Sequence, residues 1–185
     1  MDVEPLMLDV PSELRTERLL LRAPRFGDGA MVCATVRRSL AELNAWMNWA
    51  TDAYSPDDGE RWCRGSAVKF LSREEAPYLI FRHTEHVGNL GLFRFDWKVP
   101  SCEIGYWQAT THCGNGYMTE AVLAVAEWAF DSLRMERIEI RTDMRNQRSG
   151  GVAERCGFQL EGVLRHNARH VDGTLRDTKV YARLR

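Results

Sequence analysis

Two glycines one residue apart, in Cys113-Gly114-Asn115-Gly116-Tyr117-Met118-Thr119, stand directly before a long stretch of helical apolar periodicity. Glycine tolerates positive φ and carries no Cβ, so several backbone N–H groups around such a pair can turn toward one point. The first turn of a helix adds its own unpaired N–H groups and the positive end of its dipole. Together they make a site for phosphate or pyrophosphate, and a nucleotide-type cofactor lying across the helix start is the first expectation.

Such a turn must be held by rigid elements. Met118, Val122, Val125, Ala126, Ala129 and Leu133 fall on one helical face, which predicts a helix beginning just after the glycine pair. Upstream, Glu17 to Arg22 predicts a first strand. Asp28 can cap a helix to about Ser39, a second helical stretch covers Leu40 to Trp49, and Ser55-Pro56-Asp57-Asp58 opens a third helix to about Ser72. Tyr78 to Arg82, Val87 to Asp96 and Glu103 to Gln108 read as three successive strands. Downstream, Ile138 and Ile140 alternate with charges in Arg137 to Thr142, as in a half-buried strand. Asn146 can cap a short helix to Arg155, with Gly157 just past its end. Phe158 to Arg169 and Leu175 to Leu184 then meet at the hairpin turn Asp172-Gly173. The run of adjacent strands argues for a mixed sheet rather than an all-parallel one.

Composition narrows the partners. The chain has no repeat and no Pro/Gly-rich linker, so residues 1–185 read as one domain with a loosely held arm at 1–15. A net charge of -1 lacks the basic excess of a nucleic-acid binder. No stretch has the apolar length to cross a bilayer, and the N-terminus lacks a signal peptide's regions, so no membrane partner is expected. Cys33, Cys63, Cys102, Cys113 and Cys156 are odd in number and show no CxxC spacing. That argues against a disulfide framework or a zinc site and for a reducing cytoplasm. His83 and His86 stand at i, i+3 with no third ligand in sight, so no metal is expected.

Three phosphate-binding readings compete for the glycine turn. A Walker-type loop needs Lys-Ser/Thr after its last glycine, and Tyr117-Met118 stands there instead. A dinucleotide fingerprint would read Gly114-x-Gly116-x-x-Thr119; it lacks the third glycine, and no second βαβ half follows. The third reading comes from a resemblance. Cys113 to Met118 resembles the acyl-CoA pyrophosphate loop of the GNAT N-acetyltransferases, with Cys113 in place of Gln/Arg and Met118 in place of a small residue. Thr16-Glu17-Arg18-Leu19-Leu20-Leu21-Arg22 and Glu103-Ile104-Gly105-Tyr106-Trp107 are similar to the opening and central strands of the RimJ/RimL branch. Asn146-Gln147-Arg148-Ser149, Val152 to Phe158, Glu161-Gly162, Arg165 and the hairpin followed by Asp177 and Tyr181 follow its C-terminal motif.

The resemblance implies a GNAT fold, a mixed and mostly antiparallel seven-stranded sheet flanked by helices, with two central parallel strands that splay apart. It implies acetyl-CoA as co-substrate, no metal, and acetyl transfer to a primary amine, with a homodimer common in the branch. Gly114, Asn115, Gly116, Tyr117, Met118 and Thr119 would surround the pyrophosphate, with Cys113 at the loop's start. Tyr106, Trp107 and Gln108 would flank the pantetheine arm opposite Arg137 to Thr142, an N–H near Gln108 would polarise the thioester carbonyl, and Asn146 would bond pantetheine. Ser149 matches the serine proposed to protonate the leaving thiolate; the tyrosine used by other branches falls at Ala153. The branch's suggested glutamate base falls at Ala168, so Glu103 is the substitute, with His166, His170 or water as alternatives. The acceptor is a protein N-terminus, with a small amine such as an antibiotic or polyamine, or a non-catalytic acyl-CoA sensor, as rival readings. Plainer roles stand beside these: Asn146 as a helix cap, Ser149 as a structural first-turn residue, Glu103 as an ion-paired strand residue, Cys113 as a loop position or reactive thiol. Trp46, Trp49 and Trp62 read as core or lid residues that can line an acceptor pocket.

Overall fold

The computed structural model describes residues 4–185. One eight-stranded sheet runs through them in the spatial order β1-β2-β3-β4-β5-β6-β8-β7. Its strands are β1 (Glu13–Arg15), β2 (Leu20–Arg22), β3 (Ala76–Arg82), β4 (Glu85–Asp96), β5 (Ser101–Gln108), β6 (Arg137–Asp143), β7 (Gln159–Arg169) and β8 (Leu175–Leu184). Neighbours are antiparallel except β5 and β6, which run parallel. Strand alternation divides the core between the two faces. Leu79 and Phe81 of β3 pack under α1 (Gly29–Arg38), α2 (Leu40–Asn44) and Cys63 of α3 (Pro56–Leu71), whereas Tyr78 and Ile80 join the core beneath α4 (Tyr117–Asp131) and α5 (Gln147–Arg155). The apolar face expected of α4 is buried in full, from Met118 through Ala129 to Leu133 beyond its end. No helix among the described residues is long and apolar enough to cross a membrane.

The mixed sheet agrees with the sequence reading, but it has eight strands rather than seven. The added strand is β1, inside the segment expected to be a loose arm. Its three residues pair with β2, the Tyr78 hydroxyl donates to the Pro11 carbonyl at 2.8 Å, and Arg73 Nε donates to the Leu8 carbonyl at 3.1 Å. Three residues are too few for period-2 alternation to register in a sequence. The first expected strand, Glu17 to Arg22, shortens to Leu20–Arg22 because Thr16 to Leu19 forms the turn between β1 and β2, with the Thr16 N–H on the Leu19 carbonyl at 3.0 Å. The helix expected over Leu40 to Trp49 stops at Asn44, whose side-chain amide donates to the Ala50 carbonyl at 2.7 Å and ties the following loop back. Trp46 and Trp49 therefore lie in a loop.

Two local devices fix α3. Ser55 and Asp58 form a reciprocal capping box: Ser55 Oγ accepts the Asp58 N–H at 3.2 Å, and the Asp58 carboxylate accepts the Ser55 N–H at 3.0 Å. Where α1 crosses α3, two glycines meet. A Cβ on Gly59 would lie 2.4 Å from the Gly29 carbonyl oxygen, so the approach exists only without side chains. Asp28, expected to cap α1, instead gives its carboxylate to Arg22 and to the Arg25 N–H, each at 2.7 Å.

Candidate active site

The parallel pair β5–β6 is bonded over three rungs only, from Ser101↔Arg137 to Glu103↔Glu139. Beyond Glu103 the strands diverge, and a cavity of about 340 Å3 opens between Ile104 to Gln108 on one side and Ile140 to Asp143 on the other. The Ala109 N–H is bonded to the Val87 carbonyl of β4 at 2.9 Å. Alternation along a strand then turns the N–H groups of Gln108 and Tyr106 toward the gap. The splay read from the resemblance is present, with its backbone donors facing inward.

At the far end of the gap the glycine turn leads into α4. Gly114 and Gly116 have φ of 83° and 77°, the left-handed region that L-residues with a Cβ avoid. The Cys113 N–H is used on the Thr110 carbonyl at 3.1 Å, and the Glu120 N–H closes the first helical turn on Gly116. Between them the six successive N–H groups from Gly114 to Thr119 make no hydrogen bond among the described residues. A Cβ on Gly114 would meet nothing within 4 Å, so the space above the turn is open. An uninterrupted run of donors at a helix N-terminus suits a diphosphate. Three arginines that sequence reasoning missed border it. The guanidinium groups of Arg18 and Arg82 lie 4.9 and 5.7 Å from the Tyr117 ring centroid, and Arg155 Nε donates to Thr119 Oγ1 at 3.3 Å. They come from β2's approach, β3 and α5, so no local pattern joins them to the loop.

Ser149 and Asn146 stand where the gap meets α5. Asn146 is the N-cap, its side-chain oxygen accepting the Ser149 N–H at 3.1 Å, and it also lines the gap with Ser149. Tyr106 reaches across from β5. Its hydroxyl donates to the Ser149 carbonyl at 2.9 Å, and Ser149 Oγ donates to Tyr106 Oη at 3.2 Å. Burial pushes the Tyr106 phenol up to about 12, so it stays protonated at neutral pH. A tyrosine hydroxyl thus stands beside Ser149 even though Ala153 is alanine. Its alternation with Ile104 on the α4–α5 side of β5 is the signal that could have located it.

Glu103, at the last rung of the fork, is buried and lines the gap. Desolvation raises its carboxyl above the ordinary 4.5, although Arg94 at 3.1 Å and Arg141 at 3.5 Å pull the other way. Gly105 and Trp107 share its face of β5, the one toward α1–α3, so Glu103 and the Tyr106–Ser149 pair lie on opposite faces of the sheet. His166 is exposed at a bulge of β7, away from the gap. His170 is buried against Asp143, Nε2 to Oδ2 3.1 Å, and touches the gap only through that carboxylate. His86, buried and hydrogen-bonded to Thr35 and Asn89, belongs to the core. Among the described residues no group of three metal-ligating side chains is found. Trp46 lines the gap, while Trp49 and Trp62 line a neighbouring chamber that shares Met47, Phe93, Gly105, Tyr106 and Trp107 with it.

Comparison with known proteins agrees with this arrangement. Residues 18–159 match the acetyltransferase (GNAT) domain family. The chain is 28% identical over 142 residues to the ribosomal-protein-serine acetyltransferase of Escherichia coli, covering 77% of this chain and 79% of that one. It is 31% identical over 160 residues to p20, an uncharacterised N-acetyltransferase of Bacillus licheniformis, covering 82% and 85%. Among solved structures, RimL, a ribosomal L7/L12 alpha-N-protein acetyltransferase in complex with coenzyme A, superposes with a TM-score of 0.85 at 25% identity over 91% of this chain and 95% of that one. The microcin C7 self-immunity acetyltransferase MccE, solved with acetyl-CoA and AMP, superposes with a TM-score of 0.89 at 22% identity over 95% and 98%. The fork, the glycine turn and these matches together identify the chain as a member of the GNAT acetyltransferase family, of the RimJ/RimL-like branch, with acetyl-CoA as its co-substrate.

Proposed function

We propose that the acceptor is a protein N-terminal amine, as for the ribosomal-protein acetyltransferases the chain resembles, and that the residues at the fork carry the transfer. The observation that carries this reading is the placement of Glu103 on one face of the fork and the Tyr106–Ser149 pair on the other, with the N–H groups of Tyr106 and Gln108 turned into the gap. The N–H groups of Gly114 to Thr119 hold the pyrophosphate, bordered by Cys113 and Asn115, and Asn146 bonds the pantetheine arm. Tyr106 and Trp107 flank that arm along β5, and an inward N–H near Gln108, that of Tyr106, stabilises the oxygen on which charge develops. Acetyl-CoA supplies the activated acyl group.

An N-terminal amine with an ordinary pKa near 8 is largely protonated at neutral pH. Glu103 takes the proton from the attacking nitrogen as the C–N bond forms. As the C–S bond breaks, the Ser149 Oγ–H turns from Tyr106 Oη to the sulfur and gives it a proton, which water then restores to the serine oxygen; Tyr106 keeps the residue in place through its bond to the Ser149 carbonyl. The branch resemblance extends to a homodimer, and exposed Leu160, Val163 and Leu164 on β7 support one. The same reading sets the protein in the cytoplasm as a single domain, without nucleic-acid or membrane partners.

The test is release of free CoA thiol with a panel of N-terminal peptides and small amines. Peptide-dependent release above hydrolysis, with acetylation mapped to the α-amine, supports the reading. Release only with small amines overturns the acceptor, and CoA binding without release for any amine points to a sensor.

A further inference from the structure

The chamber beside the fork has a volume of about 670 Å3, within the range of about 300–1,000 Å3 usual for ligand pockets. Its floor is Gly91 and Phe93 of β4 with Gly105 and Trp107 of β5, and its walls include Trp49, Tyr54 and Trp62. Trp49 stands edge-on to Trp107, ring centroids 6.1 Å apart, and tilted to Tyr54 at 5.6 Å, which makes an aromatic corner. Trp49 and Trp62 keep 43% and 37% of their surface open, so large apolar faces look onto this space rather than onto protein. Flat aromatic walls bind another ring by stacking and edge contacts.

Charge at the rim argues against a polycation. Asp58 is paired with Arg61 at 2.7 Å and hydrogen-bonded to Ser55, and Glu75 is paired with Lys69 at 2.6 Å. Neither carboxylate is left for an ammonium group. Two buried polar side chains, Ser66 and Asn89, line the chamber. Asn89, 6% exposed, is bonded through one end of its amide to His86 Nε2 at 2.7 Å, and its other end finds no second partner among the described residues. Burial holds the His86 imidazole below its ordinary 6.5, so it anchors Asn89 as a neutral ring. Gly105, in the floor, follows Glu103 by two residues on the same face, a separation of about 7 Å at roughly 3.3 Å per residue.

We infer that this chamber receives an aromatic ring carried by the acceptor close to its primary amine, as in an N-terminal phenylalanine or an arylethylamine, with the Asn89 amide bonding the adjacent polar group. The inference rests on the reading of Glu103 as the residue nearest the reacting amine. A ring joined to the nitrogen by two carbons spans the distance from Glu103 to the floor.

The experiment compares kcat/KM by thiol release for Phe-Ala-Ala, Ala-Ala-Ala, phenethylamine and spermidine, in the wild type and in Trp62→Ala. Phe-Ala-Ala is expected to exceed Ala-Ala-Ala at least about tenfold, a discrimination an apolar pocket can supply. That ratio should fall toward one in Trp62→Ala. Phenethylamine matching the phenylalanine peptide identifies a free arylethylamine as the source of the ring; a large deficit identifies a peptide. Equal rates for the two peptides, or spermidine above both, overturn the inference. Tryptophan fluorescence with N-acetylphenethylamine separates the two readings. Quenching without turnover of any amine keeps the chamber and removes the transferase reading, and no quenching with no turnover removes both.

Discussion

Glu103 is held between burial, which disfavours its charge, and Arg94 and Arg141, which favour it; burial wins, and the carboxyl titrates above 4.5. A base displaced upward is better matched to an ammonium acceptor. The acid limb of the pH profile of kcat/KM should therefore lie above the ordinary carboxylate value, with activity rising as pH passes it. Glu103→Gln should lower the rate by about 10²–10⁴-fold and remove that limb. Stability carries the opposite sign. Between 4.5 and the raised value the folded protein keeps a proton that the unfolded chain has lost, so stability falls as pH rises through that window. Glu103→Gln should flatten that slope in urea melts taken at successive pH values. Across the sheet, Ser149→Ala should reduce kcat with little change in acetyl-CoA affinity. Tyr106→Phe removes both hydrogen bonds between the phenol and Ser149, one of them to Ser149 Oγ, and should reduce kcat by a smaller factor than Ser149→Ala, about fivefold if the Oγ contact is worth roughly 1 kcal/mol. Unchanged turnover in Ser149→Ala would take the hydroxyl out of the chemistry.

Elements with a full period and a terminal signal were legible in the sequence. α4 announced itself through Met118 to Leu133, α3 through Ser55-Pro56, and the β7–β8 hairpin through Asp172-Gly173. What stayed hidden depends on distant partners. β1 is too short to show alternation, α2 ends early because Asn44 bonds Ala50, and Asp28 is drawn from its cap by Arg22. The site divides the same way. The glycine turn and Asn146 are local and readable, whereas the Tyr106–Ser149 contact joins residues 43 positions apart. The α1–α3 crossing is likewise non-local. Gly59→Ala sets a methyl 2.4 Å from the Gly29 carbonyl, and overpacking of this kind costs about 1–3 kcal/mol. A chemical-denaturation midpoint lowered to match is the expected result, together with a weakened acceptor KM, since α3 carries Trp62.

For the molecule as a whole, the co-substrate binds only the folded chain, so it should raise the melting temperature. At one hundred times its Kd the gain is about 2.7 kcal/mol. For a chain of this size that is about 5–10 °C in thermal scanning. Gly114→Val forces a β-branched side chain to a φ of 83° and should shrink the shift without abolishing the unliganded transition. The fork also partitions the chain. Rungs linking β1 to β5 fall within residues 13–108, and those linking β6 to β8 within 137–184. Every residue of the aromatic chamber lies between Val32 and Trp107, while the glycine turn, Asn146 and Ser149 all follow Gln108. The proposed acceptor chamber is thus written wholly in the first half of the polypeptide, whereas the proposed donor site draws on both halves, with Arg18, Arg82 and Tyr106 to Gln108 from the first and the glycine turn, Asn146 and Ser149 from the second. Grafting residues 32–93 from another branch member, with β5 and the glycine turn kept, should transplant its substrate preference while the affinity for acetyl-CoA changes little, and a graft that carried donor affinity with it would show the two sites to be inseparable.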